Sequence, residues 1–177
     1  MKVILVMAMT LDGKIGRNAT DPVDWTGSTD KKYFVEVTRR AGVMIMGNNT
    51  FNTIGRPLPG RQNIVMTRTL GGKQNKENLL FSDQSPEKIL QDLDTKGYQE
   101  VTLIGGAQIN TLFARQGLIH EVHITIAPRL FGQGLSLFNQ VCDLQLNLIS
   151  MDSLGDDAVL LKYGIHKNDT PSSIKGR

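Results

Sequence analysis

Four stretches of the chain are nearly unbroken in apolar character: VILVMAM (Val3 to Met9), GVMIM (Gly42 to Met46), NIVMT (Asn63 to Thr67) and VTLI (Val101 to Ile104). Strands buried on both faces of a parallel sheet read this way, because neither face needs a polar residue. Between them lie segments of helical period, Thr29 to Arg40, Ser85 to Lys96 and Gln108 to Gln116, with Ser85 placed to cap and Pro86 to open the first turn of the second. From Glu121 the pattern changes to two-fold alternation in EVHITIAPRL, and Ala158 to Ile165 reads similarly. Those C-terminal strands are expected to be antiparallel additions. The predicted class is α/β with a mixed, mostly parallel sheet, in one domain over residues 1–167. The polar, aperiodic NDTPSSIKGR of residues 168–177 is expected to be a frayed tail.

Composition narrows what such a domain does. At 177 residues and 40% hydrophobic, the chain can bury one sizeable core but hardly two. Its net charge of +3 is scattered, not massed into a nucleic-acid stripe, so anionic small molecules are the expected partners and nucleic acid is not. Cys142, the only cysteine, excludes an internal disulfide and suggests a reducing compartment, with the cytoplasm as the expected location. The apolar start is followed at once by polar TLDGKIGRN, without a cleavage pattern or a run of spanning length, so no membrane role is expected.

In open sheets, ligands bind beyond the carboxyl ends of the strands. Two such ends carry glycine turns that lead into helices: GNNT after Met46 and GGAQIN after Ile104. Close backbone approach and orphan N–H groups at both would suit the phosphates of a dinucleotide. Neither matches GxGxxG or GxxxxGK[ST], which disfavours the ordinary Rossmann and P-loop folds. On the helix opened by Thr29, Asp30 and Phe34 are four apart and share a face that Val37 extends. A carboxylate and an aromatic ring would look into one space. The same Asp would also be favoured in a first helical turn by the macrodipole alone.

The stretch MGNNTF followed by IGRPLPGRQNIVMTR closely resembles the pattern of the dihydrofolate reductase family, in which a glycine turn and short helix pass through a proline-stiffened loop to the next strand. MAMTLDGKIG, Trp25 with Asp30 and Phe34, IGGAQI and HITIAP follow in the family's order, and the resemblance spans Val3 to Phe138. TLDGKI and APRLFGQGLSLF are more similar to the riboflavin-pathway reductases of the same superfamily. The resemblance implies a three-layer fold of the dihydrofolate reductase type and hydride transfer from NADPH to a carbon–nitrogen double bond of dihydrofolate.

It also implies roles. Asp30 would anchor the pterin's amidine-like edge and favour protonation of the nitrogen, with Trp25 and Thr125 completing the catalytic set. Ala8, Phe34, Ile54 and Arg61 would contact substrate, Arg61 gripping the carboxylate of the folate tail. Ala8, Ile15 and Gly16 would meet the nicotinamide end of the cofactor. Gly47, Asn48, Asn49 and Thr50, with Thr67 and Arg68, would hold its middle phosphates, and Ile104, Gly105, Gly106, Ala107, Gln108 and Ile109 would form the opposite wall. Two positions depart from the family pattern. Asn48 stands where a basic residue that favours the phosphorylated nicotinamide is usual, and Arg68 or the more distant Arg56 would supply that charge. Asn110 stands near a place often held by an aromatic. GRNATDPVDW, between Gly16 and Trp25, would be the loop closing over the site.

Three readings remain open: a dihydrofolate reductase, a reductase of a phosphoribosylamino-pyrimidine, and a nucleotide or pterin binder that has lost turnover. The chain would work as a monomer or homodimer. His120 and His123, three apart on an alternating strand, point to opposite faces and make a poor metal pair, so no metal is expected. Cys142 and the methionines at 7, 9, 44, 46 and 66 read as packing residues.

Overall fold

The computed structural model describes residues 1–166, so the tail expected over 168–177 lies outside the described residues. The apolar runs form β1 (Lys2–Thr10), β3 (Val43–Gly47), β4 (Gln62–Met66) and β6 (Glu100–Leu103), with β5 (Leu79–Ser82) added beyond β4. In the eight-stranded sheet the spatial order is β5-β4-β3-β6-β1-β7-β10-β9, where β7 is Glu121–Ala127, β9 Leu146–Gly155 and β10 Ala158–Ile165. A separate two-stranded ladder joins β2 (Lys14–Gly16) to β8 (Leu135–Ser136).

Helices α1 (Ser28–Ala41) and α2 (Asn48–Ile54) cover one face, and α3 (Pro86–Thr95) and α4 (Ala107–Arg115) the other. Phe34 of α1 and Phe51 and Ile54 of α2 pack with Met44, Met46, Val65 and Ile104. Ile89 and Leu93 of α3 and Phe113 of α4 pack with Val3, Leu5, Ile45 and Leu103 from the reverse side of the same strands. Alternate residues of each strand therefore feed two cores, which is why these strands carry no polar face. The Ser85 hydroxyl accepts the Lys88 N–H at the head of α3, as the SP signal predicts. Among the described residues no helix is long and apolar enough to cross a membrane.

One strand differs from expectation. β7 pairs parallel with β1, Ala8 opposite Thr125, and only its other edge is antiparallel, to β10. Its polar alternates are not solvent-facing. His123 and Thr125 are buried, and His123 is satisfied by the Tyr33 hydroxyl of α1 at 2.7 Å. Buried polar positions therefore imitate the alternation of a half-exposed strand. The antiparallel addition is the hairpin of β9 and β10.

Candidate active site at the carboxyl ends of the strands

A cleft of about 1720 Å³ opens beyond the carboxyl ends of β1, β3, β4 and β6. A pocket for one small ligand is typically about 300–1,000 Å³, so there is room for two. Its walls contain Ala8, Ile15, Asp30, Phe34 and Ile54 at one end. Gly47, Asn48, Asn49, Thr50, Thr67 and Arg68 form a second side, and Ile104, Gly106, Ala107, Gln108 and Ile109 a third. Asn18, Asp21, Pro22 and Asp24 from the segment before Trp25 border it too. That segment is internally bonded: the Arg17 guanidinium pairs with Asp21 at 3.0 Å and lies 4.2 Å from the centre of the Phe131 ring.

Asp30 is half-buried in the first turn of α1, and neither carboxylate oxygen is hydrogen-bonded within the described residues. The helix that carries it is capped from far away. Asp156, in the β9–β10 turn, accepts hydrogen bonds from the Ser28 N–H and from the Ser28 and Thr29 hydroxyls, each at 3.2 Å. Those bonds hold the Asp156 carboxyl below the usual carboxylate range. Gly27 makes the approach possible, since its φ is +87° and a Cβ there would lie 3.2 Å from the Asp156 carboxylate.

The glycine turns approach one another closely. The Gly47 N–H donates to the Gly105 carbonyl at 2.8 Å, and a Cβ on Gly47 would lie 2.9 Å from Ile109. A Cβ on Gly105 would lie 3.0 Å from the Met7 side chain. Larger residues would press on Ile109 of α4 and Met7 of β1 at the head of the cleft. Gly105 itself is buried behind Gly106 and does not line the cleft, nor does Gly16, which is buried in β2 opposite Leu135.

Three further predicted residues stand back from the walls. Thr125 is buried on β7 beside Ala8, without a hydrogen bond to Asp30. Trp25 is buried edge-on against Phe131, centroids 5.1 Å apart, and its Nε1–H has no acceptor among the described residues. Arg61 is buried rather than solvated: its Nη1 donates to the Val35 carbonyl at 3.3 Å and to the Thr38 hydroxyl, while Nε is left unpaired. Burial, with the Arg39 charge, pushes the Arg61 pKa below its ordinary value. Asn110 does not face the cleft either, because its Nδ2 donates to the Leu137 carbonyl at 2.9 Å from a fully buried position.

Two interactions were not visible along the chain. Lys73 Nζ donates to Asn48 Oδ1 at 2.8 Å while sitting 5.0 Å from the centre of the Phe81 ring. The cation absent from position 48 is thus brought beside it from the β4–β5 connection, whereas Arg56 is exposed and outside the cleft walls. Asp12 accepts from the Phe131 N–H at 3.2 Å, the Gly132 N–H at 2.7 Å and the Thr10 hydroxyl. The Thr10 hydroxyl and these backbone donors, against some desolvation, hold its carboxyl below the usual range. TLDGKI and APRLFGQG are therefore one joined structure. The proline loop has its own organiser: Asn63 accepts the Leu58 N–H at 2.9 Å and donates to the carbonyls of Leu58, Arg61 and Asn78.

Known proteins resemble this chain in sequence and in fold. A putative dihydrofolate reductase from Caenorhabditis elegans is 30% identical over 135 residues, 70% of each chain. The crystal structure of a putative riboflavin biosynthesis protein from Shewanella sp. PV-4 superposes with a TM-score of 0.81 at 25% identity, covering 94% of this chain and 100% of that one. Dihydrofolate reductase from Enterococcus faecalis, complexed with NADP(H), superposes with a TM-score of 0.72 at 21% identity over 93% and 96% of the two chains. With the sequence profile of dihydrofolate reductase matching residues 2–157, from the first strand to the turn that caps α1, the chain belongs to the dihydrofolate reductase family.

Proposed function

We propose that the protein reduces dihydrofolate to tetrahydrofolate with NADPH. The observation that carries this reading is the Asp30 carboxylate, half-buried at the apolar end of a two-ligand cleft with both oxygens free of internal partners. Two parallel acceptors match two N–H donors on the amidine-like edge of a pterin, and Phe34 and Ile54 offer apolar cover to its flat ring. An anion at that edge favours the ring's protonated form, which the nitrogen of the reduced bond requires. Trp25 leaves an N–H donor unused near the same end of the fold, suited to orienting a water. Arg61, buried with Nη1 fixed to α1, does not present its guanidinium to the cleft, so the tail contact expected of it is no part of this reading.

The residues present suit NADPH. Gly47 and Gly106 line the cleft with backbone, and the space at Gly47 is tight, since an added Cβ there would lie 2.9 Å from Ile109. Arg68 and Lys73 supply positive charge on the Asn48 side. NADPH, when bound, supplies the hydride. The chain's contribution is to hold the two rings together, exclude water with Phe34, Ile54 and the segment around Pro22, and fix the protonation edge with Asp30.

A second reading, reduction of a phosphoribosylamino-pyrimidine, draws support from the Asp12 junction between TLDGKI and APRLFGQG and from the likeness to the Shewanella protein. NADPH oxidation measured separately with dihydrofolate and with the riboflavin precursor, for wild type and Asp30→Asn, tests both. Turnover of dihydrofolate by wild type, reduced by about 10²–10⁴-fold in Asp30→Asn with NADPH affinity retained, supports the proposal. Turnover of the precursor alone replaces it with the second reading. NADPH binding without oxidation of either would leave a binder.

A further inference from the structure

We propose that Asn110 is a positioning residue for hydride transfer, acting from behind two walls of the cleft at the end formed by Ile15. This rests on the reading of the cleft as the site of an NADPH-dependent reductase. The Asn110 side chain is fully buried on α4, the helix whose Phe113 packs in the core with Leu103 and Ile124. Its Nδ2 donates to the Leu137 carbonyl at 2.9 Å, while Oδ1 accepts no hydrogen bond among the described residues. A buried acceptor left unmet is costly, and a leucine of similar size would avoid that cost. Packing alone therefore does not account for an amide at this place.

What the amide touches on each side is the back of a cleft wall. On one side is the glycine turn: the Asn110 N–H donates to the Gly106 carbonyl at 3.0 Å, and a Cβ on Gly105 would lie 3.8 Å from Asn110 Oδ1. Gly106 is itself part of the wall. On the other side is the segment that contains β8. Thr111, next along α4, accepts the Asn139 N–H at 3.0 Å, so two adjacent helix side chains grip the backbone at Leu137 and Asn139. Leu135 and Asn139 line the cleft, and Leu135 stands opposite Gly16 in the β2–β8 ladder, beside Ile15. That ladder has no slack, since a Cβ on Gly134 would lie 2.5 Å from the Gly16 carbonyl. A shift at Leu137 is therefore passed on to Ile15. One amide thus fixes the spacing between the Gly106 turn and the Ile15–Leu135 wall, where a reacting ring must be held at a defined distance from its acceptor.

Single-turnover kinetics at saturating NADPH, with whichever of dihydrofolate and the riboflavin precursor the wild type reduces, test this in wild type, Asn110→Leu and Asn110→Asp. Asn110→Leu should slow the hydride step by about 10²-fold, the loss that a displacement of about 1 Å produces, with the KM for the acceptor little changed. Asn110→Asp can donate only while its buried carboxyl is protonated, so its rate relative to wild type should fall as pH rises. Without cofactor, hydrogen exchange in Asn110→Leu should quicken at β2 and from Ser136 to Asn139, but not in β5 at the far edge of the sheet. Should Asn110→Leu fail to fold, Thr111→Val, which loses the Asn139 bond alone, should show the same changes at smaller size. A wild-type hydride rate in Asn110→Leu overturns the proposal and leaves the reductase reading intact, as does exchange that quickens in β5 as much as in β2. A wild type that oxidises NADPH with neither acceptor overturns both.

Discussion

At the residue scale, Lys73 changes what Asn48 can do. Its Nζ donates to Asn48 Oδ1 from twenty-five residues away in sequence, so a neutral position acquires a cation with a fixed approach. A phosphate on the cofactor ribose would gain a charge-assisted bond there, worth about 1.5–3 kcal/mol. Lys73→Met is expected to weaken NADPH by about tenfold and leave NADH unchanged, read by calorimetric titration of both. If Arg68→Met alone produces that pattern, Arg68 is the discriminating cation. Arg61 makes a separate stability prediction. Thr38→Val removes the hydroxyl that accepts from its buried Nη1, and an orphaned buried donor costs about 1–3 kcal/mol or more when charged. The midpoint of urea unfolding should fall accordingly, with the slope unchanged.

At the element scale, α1 shows how much of this molecule is legible along the chain. Its extent, the shared face of Asp30, Phe34 and Val37, and the glycine turns after β3 and β6 follow from period and turn chemistry, which are local. Its N-terminal cap does not, because Asp156 lies 128 residues from Ser28 and reaches it only when the β9–β10 hairpin has formed. The same limit hid Lys73 from Asn48 and buried Arg61 where a solvated or ligand-facing arginine was expected. β9 escaped notice for another reason: a register shift between Lys162 and Tyr163 breaks its alternation. Asp156→Ala should therefore lower the thermal midpoint and raise the KM for dihydrofolate more than it changes kcat, because Asp30 rides on the loosened turn. Asp156→Asn should recover part of both. The folded pKa of Asp156 is depressed, so its contribution is present above the ordinary carboxylate range and lost as pH falls through the folded value. Acid should narrow the gap between wild type and Asp156→Ala.

At the scale of the whole molecule, the central strands are tied to one another and to α1 through two histidines held neutral. The His120 Nδ1 accepts the Val3 N–H at 3.1 Å, joining the approach to β7 to β1. The His123 Nδ1 meets the Tyr33 hydroxyl at 2.7 Å, and its Nε2 lies 3.1 Å from Glu121, which Lys2 holds at 2.7 Å. With the carboxylate as acceptor, the His123 proton sits on Nε2 and the Tyr33 hydroxyl donates. Burial pushes both imidazoles below their ordinary pKa, and pushes Tyr33 up to about 12. The unfolded chain therefore takes up protons near pH 6.5 that the folded chain refuses. Between the unfolded and folded values the unfolded state binds more protons, so stability rises with pH there and flattens above about 7. Urea midpoints measured from pH 5 to 8 should show that slope for wild type and a shallower one for His123→Gln and for His120→Gln. A double variant with the wild-type slope would assign the acid sensitivity to the carboxylates instead and free both rings from this role.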